Sequence, residues 1–308
     1  MGSTLAQTAA TVLVNLSFAW IAGVLATRFW LMRQTAQWQR LALARLSPAM
    51  LTGLLACGTG MLLSLWSESA AMGDVAWPDA WPAFAEMLRS THYGHAGVAA
   101  VALLFIAMVV HWHLRGAYAG LRYLASITLL LLLVFGARVS IGHAFEQGAM
   151  SVAVLVEWLH LLFMSLWAGV VFAAGWLVLP LAPAHESAPG SGRAAYLKSM
   201  SNWAAAALAG ILATGSYNAY RVLGSPRDLI ESDYGHVLVL KLCFVLVAMA
   251  LGGYNKFFGL PAALALQAPP GEAQAGLRVV ITVLRIESIA LFFVVGAAAV
   301  LANSAPPG

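Results

Sequence analysis

Thr91-His92-Tyr93-Gly94-His95 and Asp233-Tyr234-Gly235-His236 each open a long apolar run, the first ending near Val110 and the second near Leu251. The two tyrosines are 234 − 93 = 141 residues apart, close to half of the 308-residue chain. Each stretch puts a histidine at the mouth of a hydrophobic helix, which suggests a duplicated unit with imidazoles at its rim. Metal or haem is the chemistry that such a rim brings to mind.

Working outward, the chain has the composition of an integral membrane protein. Hydrophobic residues make up 61%, charged residues 9%, and the mean hydropathy is +0.83. A soluble domain carries about 25% charged residues. The net charge of +4 does not point to nucleic acid, because the Lys and Arg residues fall in short loops between apolar runs. The first run starts near Thr8 with no basic residue before it, so no cleaved signal segment is expected. Cys57 and Cys243 stand alone in apolar segments, which supports neither a disulfide framework nor a thiolate zinc site.

Crossing a hydrocarbon core of ~30 Å takes about 20 residues. Eight runs qualify, near 8–32, 46–66, 92–114, 119–139, 151–180, 199–220, 235–258 and 279–303. The expected fold is an all-α integral membrane protein of two four-helix halves, 1–145 and 146–308. Phe18, Trp20, Gly23 and Val24 in the first span echo Met164, Trp167, Gly169 and Val170 in the fifth, and Thr59-Gly60 echoes Thr214-Gly215. Four spans per unit is an even number, so the halves should insert the same way up, related by an axis along the membrane normal. Arg28, Arg33, Arg40, Arg45, Arg115, Arg122, Arg193, Lys198, Lys256 and Arg278 gather on one side. By the positive-inside rule both termini then face outward, with both Tyr-Gly-His corners. The acidic, tryptophan-rich linker 67–91 reads as a cover lying on the membrane surface.

Depth sorts the histidines. His92, His95, His143 and His236 are expected at outer ends of spans, whereas His111, His113 and His185 belong to the inner side. His160 lies within span five, ~14 Å below Ser151 at ~1.5 Å per residue. Glu157, His160, Met164 and Trp167 share one helical face. A carboxylate, an imidazole and a thioether on one stripe suit copper as Cu(I) or Cu(II), since thioethers select Cu(I) and imidazole binds either state. The same stripe also fits a structural Glu157–His160 pair with packing partners. Lys241, Arg138, Arg285 and Glu287 read as interhelical charge pairs, with Lys241 set to neutralise Glu157 or Glu287. No P-loop, G-x-S-x-G, H-E-x-x-H or C-P-C pattern occurs, which sets ATP-driven pumping aside and leaves no enzyme motif.

With these residues in view, the chain resembles the copper resistance protein D (CopD) family of bacterial inner-membrane proteins. Ser140-Ile141-Gly142-His143-Ala144, Glu157-x-x-His160 and Trp167-x-Gly169 match its patterns. Thr214-Gly215, Tyr234-Gly235 with Lys241, Asn255-Lys256 and Arg285-x-Glu287 follow in order. The resemblance is strongest from about 138 to 308. It implies eight spans in the inner (cytoplasmic) membrane, copper handling at the periplasmic face, and a periplasmic copper-binding partner of the CopC type. His143 and His160 are the matched positions that matter most. The candidate copper ligands are thus His143, His160, Glu157 and Met164, with His92, His95 and His236 as rim groups. The expected function is transfer of copper across or into the membrane. Two alternatives stay open: a redox protein, either a b-type cytochrome with haem b between two histidines or a copper-dependent oxidoreductase, and a factor that delivers copper to an oxidase.

Overall fold

The computed structural model describes residues 2–32, 36–114, 120–142, 145, 148, 150–183, 192–223, 225, 227–264 and 270–304. They form helices α1 (Gly2–Leu31), α2 (Gln37–Met72), α3 (Trp81–Ser90), α4 (His92–Leu114), α5 (Gly120–Val139), α6 (Val152–Phe172), α7 (Gly192–Val222), α8 (Asp228–Glu231), α9 (Asp233–Tyr254), α10 (Leu260–Ala263) and α11 (Pro270–Ala302), joined by short 3₁₀ and π turns; no strand occurs among the described residues. Seven of the helical stretches are long and apolar enough to cross a membrane: Leu5–Leu31, Gln37–Met72, His92–Leu114, Gly120–Val139, Val152–Leu181, Asp233–Ala263 and Gln274–Ala302. The sixth of the eight expected runs, 199–220, falls within α7, a helix of 31 residues that is not among these seven. Its residues include Lys198, Asn202, Thr214 and Asn218, which lower its hydropathy. Two of these polar side chains turn inward onto α6, as described below.

The centre of the bundle is the crossing of α1 and α6. A side chain on Gly23 would place its Cβ 1.9 Å from the Gly169 carbonyl oxygen, and one on Gly169 would meet Ala19 O at 2.0 Å. Only glycine allows backbones this close, and small residues at such crossings are how apolar helices pack where water supplies no driving force. Phe18 packs against Phe135 with ring centroids 4.3 Å apart and planes tilted by 56°, tying α1 to α5. The Trp20 indole donates to Ala49 O at 2.7 Å, and the Trp158 indole to Leu132 O at 3.3 Å, so each indole staples two helices. Outward-facing positions are apolar instead: Leu129, Leu133, Leu242, Leu246, Phe257 and Phe258 are exposed, as lipid-facing side chains must be.

At the other end from the start of α6, polar side chains hold the helices by bonding backbone carbonyls. Arg193 donates to Pro183 O (2.9 Å) and Ala263 O (3.0 Å). Both α6 and α9 run on into a π turn, Ala173–Val178 and Asn255–Gly259. Arg285 donates from Nε to Gly175 O in the first of these turns (3.1 Å) and lies over the Trp176 ring, 4.7 Å from its centroid. The linker 67–91 is partly helical: α2 continues to Met72, and α3 covers 81–90. Trp66, Trp77, Trp81 and Phe84 form one aromatic cluster there, with Trp66 donating to Trp77 O.

Candidate functional site

A cavity of about 880 Å³ opens at the end of the bundle where α4, α6 and α9 begin. Every long helix contributes to its wall. From α6 come Glu157, His160 and Met164, from α4 His92 and Tyr93, and from α9 Tyr234, Leu238 and Lys241. Glu68, Arg138 and Arg221 add charge from α2, α5 and α7. Of the stripe anticipated on α6, Glu157, His160 and Met164 face this shared cavity, and Trp167 is not among its lining residues. The three do so because 157, 160 and 164 recur at helical spacing while the opposite face of α6 packs against α1.

His160 is the best-oriented group in the cavity. Its Nδ1 lies 2.9 Å from Thr214 Oγ1. That hydroxyl is itself 2.6 Å from Gly210 O and 3.3 Å from Ile211 O, so its single hydrogen points to the helix carbonyls. Thr214 can then only accept from the imidazole. The network assigns the ring proton to Nδ1 and leaves the lone pair on Nε2. Metal-binding histidines are held in this way, with the far nitrogen fixed by an outer hydrogen bond. Gly215 provides the room: a Cβ there would come within 3.2 Å of His160 Cε1. Met164, one turn further along, is 9% exposed and lines the same cavity.

The wall carries two carboxylates, Glu68 and Glu157, beside three cations, Arg138, Arg221 and Lys241, and among the described residues Arg221 Nη1 is buried without a hydrogen-bond partner. Asn218 donates to Glu157 at 2.7 Å, and Lys241 lies within the field of Glu157. Glu68 accepts from the Gln7 amide and lies in the field of Arg138. Tyr93 and Ser64 share a hydrogen bond of 3.3 Å. His92 reaches Ser140 O from Nε2 at 3.1 Å and stacks on Phe145, 4.6 Å between centroids and 10° between planes. Because the carbonyl can only accept, His92 carries its proton on Nε2 and offers Nδ1.

Of the seven ligand candidates, four (His92, Glu157, His160 and Met164) line this cavity. His143 lies outside the described residues. His95 and His236 are not among the lining residues. Each folds back on its own chain, His95 Nε2 to Arg89 O (3.1 Å) and His236 Nε2 to Ile230 O (2.7 Å), both six residues upstream. The rest of the two corners matches as well. Thr91 Oγ1 accepts from Gly94 N (3.0 Å) and Ser232 Oγ from Gly235 N (2.9 Å). A Cβ on Gly94 or Gly235 would sit 2.1 Å from Met87 O or Asp228 O. The glycine in Tyr-Gly-His is thus required by close backbone approach, and the histidine completes the corner. Among the described residues no three His, Cys, Asp or Glu side chains converge tightly enough to form a closed metal cage.

Arg138, Glu68, Tyr93 and Asn218 entered the site without being singled out as site residues. Asn218 had a legible signal: Thr214, Asn218 and Arg221 recur at i, i+4, i+7 on an otherwise alanine-rich helix. Glu287, expected in a charge pair, is 2% exposed and lies against Gly252 of α9, where a Cβ would come within 3.1 Å of its Oε1, while Arg285 nearby bonds Gly175 O and covers Trp176.

Comparison with known proteins agrees with this picture. Residues 194–301 match the family model CopD, copper resistance protein D. Over 213 residues the chain is 25% identical to the copper transport protein CutJ of Bacillus subtilis (strain 168), an alignment covering 67% of this chain and 38% of that relative. The chain thus spans well under half the length of the relative it matches. No solved structure matches. The family match takes in Thr214, Tyr234, Lys241 and Glu287, the side chains that surround and continue the α6 stripe, and with CutJ it supports the copper resistance protein D family for this multi-pass membrane protein.

Proposed function

We propose that this protein takes copper from the outer side of a bacterial inner membrane into its cavity and passes it inward. The observation that carries the proposal is His160, fixed by Thr214 so that Nε2 presents its lone pair to a water-accessible pocket shared with Met164. An imidazole and a thioether suit Cu(I), and His92 at the rim offers a further nitrogen for capture. Sites of few ligands let an ion enter and still leave, which transfer requires and a storage cage does not. His143 belongs to the same capture set by its resemblance to the family pattern. A soluble copper-binding protein of the CopC type is the natural donor at that face.

The architecture proposed for this role is two parallel four-helix halves of eight spans, with both termini outward and α7 as the sixth. The contact of Gly23 with Gly169 and the matched hydrogen bonds of the two Tyr-Gly-His corners support it. The halves then differ where it matters. Gly215 packs on His160, whereas Gly60 packs on Val14, and 160 − 14 equals 169 − 23, or 146. The position of the imidazole is filled by an apolar side chain in the first half, so one copper route per chain is expected, on the C-terminal side.

Copper uptake into liposomes holding the purified protein tests the proposal. Time-dependent uptake above that of empty vesicles supports it. Stable binding with no uptake would favour a factor that hands copper to another protein, and a haem Soret band would move the chain to the redox proteins.

A further inference from the structure

The end of the bundle opposite the cavity carries a second concavity, between α7 and the π turn that extends α9. α7 packs on α6, where a Cβ on Gly210 would meet the Phe163 ring at 2.5 Å. α9 packs on α11, where Phe244 stacks on Phe293 with centroids 5.1 Å apart. The two helices thus have different main neighbours, and a cleft of about 440 Å³ lies between them. α7 lines it with Lys198, Ser201 and Asn202, which share one helical face, and Lys256, Leu260 and Leu264 line the other side.

Helix length gives the depth of this cleft. From Lys198 to Asn218 at the outer cavity is 218 − 198 = 20 residues, ~30 Å of helix, and from Tyr234 to Lys256 is 256 − 234 = 22, ~33 Å. Both lysines therefore stand about one hydrocarbon thickness from the cavity, at the level of the other headgroup layer. The neighbouring rings agree: Trp203, Tyr254, Phe257 and Phe258 are exposed there, and Trp and Tyr favour that interface. The π turn Asn255–Gly259 is anchored from within. Asn255 is buried and donates to Val280 O of α11 (3.4 Å), and a Cβ on Gly259 would come within 2.7 Å of its Oδ1. Lys256, Phe257 and Phe258 are left on the outside of the turn. Such turns inside helices recur at functional sites.

Among the described residues two lysines and no carboxylate line the cleft. Two ammonium groups repel a metal cation and suit a phosphate, which lysine binds as a point charge. The Ser201 hydroxyl and the Asn202 amide are further donors for its oxygens. Leu260 and Leu264 add apolar surface for glycerol and the first methylenes, and the surrounding rings face lipid. These features favour a phosphate carried by a lipid over a soluble one. We infer that this cleft binds the headgroup of an anionic phospholipid, with its phosphate between Lys198 and Lys256. Basic clefts between membrane helices take such headgroups. The bound lipid ties α7 to the end of α9, where Arg193 already bonds Ala263 O (3.0 Å). The inference stands apart from the copper reading.

The test reads the melting temperature of the purified protein in detergent with added phosphatidylglycerol, phosphatidylcholine of the same chains, or inorganic phosphate. Wild type is expected to melt about 3 °C or more higher with phosphatidylglycerol than with phosphatidylcholine. K198Q/K256Q should lose this increment while melting as wild type does in phosphatidylcholine, and K198Q and K256Q alone should each lose part of it. K198R/K256R should keep it. R40Q/R45Q removes as much charge from exposed positions outside the cleft and should also keep it. Equal melting of wild type in the two lipids would overturn the site, as would a full increment in K198Q/K256Q. An equal loss in R40Q/R45Q would show diffuse attraction to the membrane in its place. The same rise with inorganic phosphate would overturn the assignment to a lipid.

Discussion

His160 Nδ1 stands 2.9 Å from Thr214 Oγ1, and that hydroxyl directs its own hydrogen to Gly210 O at 2.6 Å. This relay joins α6 to α7 and determines which imidazole nitrogen faces the cavity. T214A removes the acceptor, so the ring loses both its orientation and the preference for the Nδ1 proton. Copper affinity is expected to fall about 10- to 100-fold, the usual cost of losing an outer partner of a ligating histidine. T214S should recover most of it. A competition titration against a chelator of known affinity checks both, and equal affinity in T214A would show that the relay does not orient a ligand.

His95 and His236 bond backbone carbonyls within their own corners. H95A and H236A should each cost about 1 kcal/mol of stability, one hydrogen bond's worth, and leave copper stoichiometry unchanged. Thermal unfolding in detergent together with metal analysis separates the two effects. Loss of bound copper without loss of stability would return these histidines to the ligand set.

Gly23 and Gly169 pack backbone to backbone, and any Cβ at either position must push the helices apart. G169V and G23V should lose about 3 kcal/mol or more, seen as little folded protein after extraction. By contrast, a Cβ added at Gly58 or Gly136 would meet nothing within 4 Å. G58A and G136A should be neutral or stabilising by up to about 1 kcal/mol, because glycine is a poor helix former. Size-exclusion profiles and melting temperatures compare the four.

Much of this molecule was legible from its residues, for identifiable physical reasons. Apolar runs such as 92–114 and 279–303 had to be helices, since a backbone in lipid must satisfy its own hydrogen bonds. The α6 stripe was legible because helical periodicity is a local property. The run that forms α7 was marked by length, yet its hydropathy is diluted by residues such as Thr214 and Asn218, which bond His160 and Glu157, and it is not among the seven stretches apolar enough to cross a membrane. What could not be read from the sequence depends on how helices meet. The Gly23–Gly169 contact appeared only as an echo of two short motifs. The matching of Glu68 with Gln7 and Arg138 needs α1, α2 and α5 brought together. The folding back of His95 and His236 onto their own corners depends on the segments before α4 and α9, whose geometry no periodicity encodes. Both histidines stand in the first turns of α4 and α9, each is bonded within its corner, and neither lines the cavity.

The most direct measurement is anomalous scattering at the copper edge from crystals of the copper-loaded protein, with metal analysis of the same sample. The account predicts one copper peak in the cavity, next to His160 Nε2 and the Met164 sulfur, that disappears in H160A. A copper peak away from α6, or full copper content in H160A, would contradict it.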